Sequence, residues 1–159
     1  MDRIDNILNN QTFKKCINRI NEAEKDRKFC LHNIEHSIDV ARIAYIISLQ
    51  NNLSVEKDVI YATALLHDIG RAEEYDNGIS HHEASAIIAK EILAGSGFDE
   101  AEMQMICDAI KKHKCGQAQV NSLGDLLYKA DKLSRACYSC KVYEECYWDE
   151  SKKNKTLQI

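Results

Sequence analysis

Apolar positions recur at three- and four-residue spacings almost from end to end of the chain, a rhythm that predicts helices, and no segment shows the alternation of a strand. Residues 3–24 carry Ile4, Ile7, Leu8, Phe13, Cys16, Ile17 and Ile20 in this spacing, and Asn9-Asn10 is a natural point of division. A polar stretch over 22–28 follows. Residues 32–50 predict a long helix with Ile34, Ile38, Ala41, Tyr45 and Leu49 on one stripe and His36, Val40, Ile43 and Ile47 on a second. Asn51-Asn52 ends it, and Ser54 is the expected N-cap of the next. Residues 55–68 become apolar nearly all round towards their end, as a central, buried helix does. Gly70 is the expected helix stop, and the polar run 71–80, with Asn77-Gly78 inside it, reads as a loop. Two amphipathic helices are predicted over 82–94 and 99–113, parted by Gly95-Ser96-Gly97, and a last over 122–136. The polar tail 151–159 is expected to fray.

These elements predict an all-α fold, a single compact helical domain over 1–159. Composition agrees: there is no proline and there are only six glycines, which argues against a many-turned β protein. The balance of 45% apolar and 29% charged residues is that of an ordinary globular chain. The net charge is −4 and the basic residues are scattered, so a nucleic-acid polymer bound on a basic face is not expected, whereas a small phosphate site is compatible. No apolar run approaches the roughly 20 residues that cross a bilayer, so no membrane partner is expected. The first residues lack the uninterrupted apolar core of a signal peptide. Seven cysteines, an odd number without such a signal, point to a reducing cytoplasm and to thiols that are free or bind metal.

The residues that carry chemistry are His36, His67-Asp68, His81 or His82, His113 and Asp131, each on or at the end of a different predicted helix. Asp68 closes the most apolar helix of the chain, and Asp131 lies one turn after Leu127. A carboxylate at such a place needs a cation or hydrogen-bond donors. His113 shares a stripe with Ile106, Ala109 and Ile110. One inward histidine is ordinarily a satisfied core residue, but five such groups converging from separate helices predict a metal site in the core of a helix bundle. Mixed nitrogen and oxygen donors suit Fe, Mn, Co, Ni or Zn, not Ca.

These residues resemble the HD superfamily of metal-dependent phosphohydrolases. The resemblance covers about residues 29–136 and rests on HSIDVARIA, ALLHDIGR, HHEASAIIA, AIKKHK and YKADKLSR, in the family's order His…His-Asp…Asp. It implies that His36, His67, Asp68 and Asp131 hold one divalent transition metal. The two further histidines resemble those of a dinuclear subset, in which the Ser85-Ala86 pair selects His81 over His82. His81 and His113 would then hold a second metal, with Asp68 bridging. The implied activity is hydrolysis of a phosphate ester or phosphoanhydride of a small phosphorylated substrate, most simply a nucleotide, by metal-activated water. Asp68 is the central catalytic residue, and Arg71, Lys132 and Arg135 are candidates to hold substrate phosphate. Asp39, Glu73 and Glu74 are candidates to support the ligands, and His32 either faces the same cleft or lies in solvent. The chain departs from the symmetric dinucleoside tetraphosphate hydrolases of the family, with Lys114-Cys115-Gly116 in place of a Thr-Gly pair and Lys132-Leu133-Ser134-Arg135 after the last Asp. A homodimer is compatible with the resemblance. The alternative is a non-catalytic metal- or ligand-sensing HD domain.

Residues 137–150 form a cysteine-containing extension, with Cys137-x2-Cys140-x5-Cys146 followed by Trp148. Three thiols at this spacing are half of a usual site for Zn or an Fe–S cluster, with Cys30, His32 or Cys115 as the fourth ligand, and a redox or metal sensor is the function this would imply. Otherwise they are free thiols, as Cys16 and Cys107 are expected to be in the core.

Overall fold

The computed structural model describes residues 2–112 and 120–158, and the described residues contain helices and no strand. The first apolar run forms two helices, α1 (Asp2–Asn9) and α2 (Gln11–Ala23). The break is local chemistry: Asn10 turns its side chain back, and its Oδ1 accepts from the Thr12 and Phe13 amides at 2.8 and 3.1 Å. Asn10→Ala is expected to cost about 1 kcal/mol in urea unfolding, because those amides lose their acceptor at the first turn.

The long helix α3 (Ile34–Gln50) is capped by Asn33, whose Oδ1 accepts from the His36 amide at 3.0 Å, so the cap fixes the turn that carries His36. Helix α4 (Lys57–Leu66) follows, with Ala62–Leu66 buried on every side. Its N-cap is Glu56, not Ser54. The reason lies in the turn before it: Asn52 adopts a left-handed φ of 52°, and the Leu53 amide closes back on Ser48 O at 2.9 Å, which commits Ser54 to the turn.

The run 71–80 is not the loop its polarity suggests. It contains α5 (Arg71–Asn77), ended by Gly78 in the left-handed region at φ 69°. Only Ala72 of this helix is buried, so there is no apolar stripe for the sequence to show. Arg19 of α2 holds it, pairing with Glu73 and Asp76, each at 2.5 Å. Gly70 is likewise not a left-handed stop. Its φ is −89°, and it is the N-cap of α5. Helix α6 (His81–Ala94) and α7 (Glu100–Lys112) follow, and Asp99 and Glu102 close a reciprocal capping box at the start of α7.

The last helix, α8 (Leu123–Leu133), is shorter than the predicted 122–136, with Ser134 as its C-cap and the chain leaving the helix at Arg135. Beyond it, three short 3-10 turns, Cys137–Ser139, Tyr143–Glu145 and Glu150–Lys152, lead to the terminus. The tail is not frayed. The Asn154 side chain donates to Lys132 O and Arg135 O, both at 2.8 Å, which satisfies carbonyls at the end of α8 that the helix leaves open.

Helix α4 lies at the centre, packed against α1, α3, α6, α7 and α8. Ile60, Leu65, Leu66 and Ile69 fill the core with Ile47, Ile92, Ile106, Ile110 and Leu126. Cys16 and Cys107 are part of it, as expected. No helix of the described residues is long and apolar enough to cross a membrane.

Candidate metal centre

The two polar residues at the end of α4 lie at the bottom of a cleft. His67 is fully buried, and Asp68 is 4% exposed. Around Asp68 the chain assembles four imidazoles, each presenting Nε2. His67 Nε2 is 3.2 Å from Asp68 Oδ2, His36 Nε2 is 3.8 Å and His32 Nε2 is 4.0 Å from the same oxygen. His81 Nε2 is 3.6 Å from the other oxygen, Oδ1. Asp131, on α8, brings Oδ1 to 3.4 Å from His36 Nε2 and 3.9 Å from His67 Nε2.

The other ring nitrogen of each histidine is held from behind. His67 Nδ1 is 2.7 Å from Ala64 O, His81 Nδ1 is 2.8 Å from Glu74 Oε2, and His32 Nδ1 is 2.6 Å from Glu24 Oε1. A carbonyl or a carboxylate only accepts, so each of these Nδ1 atoms carries a proton, and a ring that gives up its second proton has its lone pair at Nε2. This is the tautomer a metal-binding histidine needs. His36 Nδ1 lies 3.4 Å from Ser134 Oγ.

Electrostatics keep the carboxylates charged. Burial opposes ionisation of Asp68, but His67, then Arg71 and His32, outweigh it and hold Asp68 well below the usual carboxylate range. Asp131 is likewise held low against its burial by His36, His67 and Lys132. Burial disfavours the charged form of His67, yet Asp68 and Asp131 lift its pKa to about 8. His81 is pushed down, first by burial and then by the Arg71 charge.

A divalent metal fits these donors. Ligand atoms of His36, His67 and Asp68 lie within 4.8 Å of one another. His36 Nε2 is buried without a hydrogen-bond partner, and Asp68 Oδ1 has ionic contacts with Arg71 and His81 but no hydrogen bond, a deficit that a cation at their focus relieves. The side chains of the expected first site, His36, His67, Asp68 and Asp131, therefore come together. Of the expected second site, His81 faces Asp68 Oδ1, and His113 lies outside the described residues. His82 is buried beside His81, with ring centres 3.8 Å apart.

The candidate anion-binding residues have distinct surroundings. Arg71 Nε sits 3.2 Å from Asp68 Oδ1 and its Nη1 is 3.6 Å from Glu74, so it serves the carboxylates directly. Lys132 Nζ donates to Asp131 Oδ2 at 2.7 Å. Arg135 stacks over Trp148 at 4.6 Å. All three line a cleft of about 620 Å³ above Asp68 and Asp131, together with Tyr128, Trp148 and Lys152. Lys152 is a fourth cation that the sequence did not single out, because it belongs to the tail that was expected to fray. Of the proposed supporting carboxylates, Glu74 holds His81, whereas Glu73 is engaged by Arg19, and Asp39 is exposed beside Arg42.

Glu24 was missed altogether. It is 4% exposed, accepts from the His32 amide at 2.7 Å and the Tyr75 hydroxyl at 2.5 Å, and holds the His32 ring. Nothing in the polar run 22–28 marks it, since its burial comes from α5 closing over it. Burial opposes its ionisation, but the His32 and Tyr75 bonds hold its pKa at about 2. A depressed carboxylate stabilises the fold fully above its unfolded pKa of about 4.5 and loses that contribution as pH falls towards 2. Wild type is therefore expected to lose about 2 kcal/mol more than Glu24→Gln between pH 5 and pH 3, read by urea unfolding.

Comparison with known proteins places this geometry. A family model described as HD domain matches residues 33–136. An uncharacterized protein of Clostridium beijerinckii is 45% identical over 154 residues, covering 97% of each chain. Ribonuclease Y of Acetivibrio thermocellus is 30% identical over 103 residues, which are 65% of this chain but 18% of the ribonuclease. The crystal structure of a predicted HD superfamily hydrolase from an uncultured Thermotogales bacterium superposes with a TM-score of 0.62 at 28% identity, over 88% of this chain and 80% of that one. The family match spans every described residue of the His-Asp cluster from His36 to Asp131, and with it the chain belongs to the HD domain family.

Proposed function

We propose that the protein is a metal-dependent phosphohydrolase acting on a small phosphate ester or phosphoanhydride, with a nucleotide as the substrate class. The observation that carries this is the convergence of four imidazole Nε2 atoms on Asp68 at the floor of a cleft walled by Arg71, Lys132, Arg135 and Lys152. His36, His67, Asp68 and Asp131 would hold the metal, which when bound supplies Lewis-acid activation of water and of a phosphoryl oxygen. His81 and His113 would complete a second site on the Oδ1 side of Asp68, which Arg71 now occupies.

The remaining work falls to this chain's own groups. Lys132, Arg135 and Lys152 line the cleft above the His-Asp cluster and offer charged donors to a substrate phosphate. Glu74 keeps the proton on His81 Nδ1 and so keeps Nε2 available towards Asp68. Arg135 Cζ and Lys152 Nζ both lie over the Trp148 ring, at 4.6 and 5.7 Å, cation–π contacts that limit what these long side chains lose on ordering. Tyr128 and Trp148 give the cleft an apolar wall, and its volume suits a ligand of nucleotide size.

The segment shared with ribonuclease Y favours a second reading, in which the bond cleaved is a phosphodiester of RNA. The test is a panel of nucleotides, phosphate esters and a short RNA, assayed on the full chain with Mn, Fe, Co, Ni or Zn added. Release of phosphate or of a nucleoside monophosphate from small substrates supports the first reading, and cleavage of the RNA alone supports the second. No turnover with any metal, while metal is bound, leaves a sensing domain. Lys152→Ala is expected to raise KM about tenfold with kcat little changed, the effect of one lost charged contact to phosphate. An unchanged KM would remove the tail from the substrate site.

A further inference from the structure

We propose that Cys30, Cys137, Cys140 and Cys146 form a four-thiolate site for an iron–sulfur cluster, clasped between the segment before α3 and the C-terminal extension. The site borders the His-Asp cluster, sharing His36 as a cavity wall, but its four thiols are separate ligands and the proposal does not depend on the phosphohydrolase reading.

The pattern Cys137-x2-Cys140-x5-Cys146 supplies three ligands and lacks a fourth. The fold supplies it. Cys30, more than a hundred residues away in sequence, lines the same cavity of about 620 Å³ as the other three. His32, the rival ligand nearby, is already committed, with Nδ1 on Glu24 and Nε2 towards Asp68. Cys115 lies outside the described residues.

The backbone is built to gather the thiols. Cys137 opens one 3-10 turn and Cys140 closes it, its amide on Cys137 O at 3.1 Å. Cys146 closes the next, its amide on Tyr143 O at 3.2 Å. Two contacts press this segment onto the one bearing Cys30. Lys28 pairs with Glu145, and Phe29 meets Tyr147 edge to face at 5.5 Å. None of the four cysteines is in a disulfide.

The size of the cavity favours a cluster over a single zinc. Four sulfurs about 2.3 Å from one zinc lie about 3.8 Å apart. No three of these thiols come within 4.8 Å of one another, and a cavity separates them. A larger body than one ion fits that space, and cysteine thiolates are the usual ligands of iron–sulfur clusters. Arg135, Lys28, Lys141 and Lys153 also line the cavity, against the carboxylates of Glu35 and Asp39, so its lining is net positive towards the anion that four thiolates and a cluster make. Cys30 and Cys140 are exposed, so the cluster would be open to oxygen.

The test is the full chain expressed with iron and sulfur supply and purified without oxygen. About four irons and four acid-labile sulfides per chain, with a broad visible absorption that dithionite bleaches, are expected. Acid-labile sulfide separates this iron from any bound at the His-Asp cluster, which carries none. Cys30→Ser and Cys137→Ser are each expected to lose most of the sulfide and colour while keeping the wild-type helical circular dichroism. If either variant fails to fold, the sulfide content of the wild-type protein decides alone. Absence of sulfide overturns the proposal, whether the thiols then alkylate freely or hold one zinc per chain. So does a well-folded Cys30→Ser protein with its sulfide intact.

Discussion

Asp68→Asn is expected to abolish metal retention at the His-Asp cluster and to lower any phosphohydrolase activity at least about 10³-fold, the scale on which a single electrostatic stabiliser counts in a dry site. The amide is nearly isosteric with the carboxylate, so the loss comes from charge. Asp68 is the one group that all four imidazoles face, and it contributes one oxygen to each side of the site. Asparagine offers a single neutral oxygen, and its NH2 group points a donor at either Nε2 atoms or a cation. The same change also reads out in the metal-free protein. Arg71 is largely buried, with Nε 3.2 Å from Asp68, and keeps only the more distant Glu74 at 3.6 Å. Removing one partner of a buried pair leaves the other charge uncompensated, so the variant is expected to be about 3 kcal/mol less stable in urea with chelator present. The two measurements separate two roles. Metal content by mass spectrometry reports ligation, and the unfolding curve in chelator reports the pairing with Arg71. A variant that keeps stoichiometric metal would remove Asp68 from the centre of the site. One that loses metal without loss of stability would show that Arg71 finds full compensation in Glu74.

How far the sequence foretold this site follows from how each residue is placed. His36, His67, Asp68 and Asp131 sit on strongly periodic helices or at their ends, so the stripe that predicts the helix also predicts which way the side chain points. The all-α fold was legible for the same reason. The residues that were missed lie where periodicity is silent. Glu24 is polar and sits in a polar run, and it becomes buried only because α5 folds over it. Helix α5 shows a single buried residue, and its position depends on Arg19, far away in sequence. Lys152 and Asn154 look like solvated tail residues. They are ordered because the end of α8 has carbonyls that need donors, a requirement that appears only when the two ends of the segment meet. Cys30 was one of three candidate fourth ligands in the sequence, and only long-range closure brings it to the cavity that the other cysteines line. Local pattern therefore gave the candidate ligands near the core, and tertiary contact gave the groups that orient them.

Gly70→Ala tests the turn that carries His67 and Asp68, and it is expected to destabilise the protein by about 4 kcal/mol, beyond the usual range for one extra methyl group. The sequence reads Gly70 as a helix stop, but its φ of −89° is one that any residue adopts. The constraint is space. A Cβ on residue 70 would lie 2.4 Å from the Ser85 backbone nitrogen and 2.7 Å from both Ala84 C and Ala84 Cβ. These atoms belong to the buried face of α6, and backbone cannot rotate aside as a side chain does. The helix must move instead, and the Gly70 amide then leaves Ser85 Oγ, which it reaches at 2.9 Å in a buried bond. Since α6 begins at His81, the same displacement pulls that imidazole away from Asp68. The expected result is a thermal midpoint lower by on the order of 10 °C for a chain of this size, together with weaker metal binding by the fraction that stays folded. Gly95→Ala is the control. A Cβ there meets nothing nearer than Ile92 O at 3.9 Å, so its stability should stay within about 0.5 kcal/mol of wild type. Equal effects at the two positions would mean that the close approach of the His-Asp turn to α6 does not hold the site together.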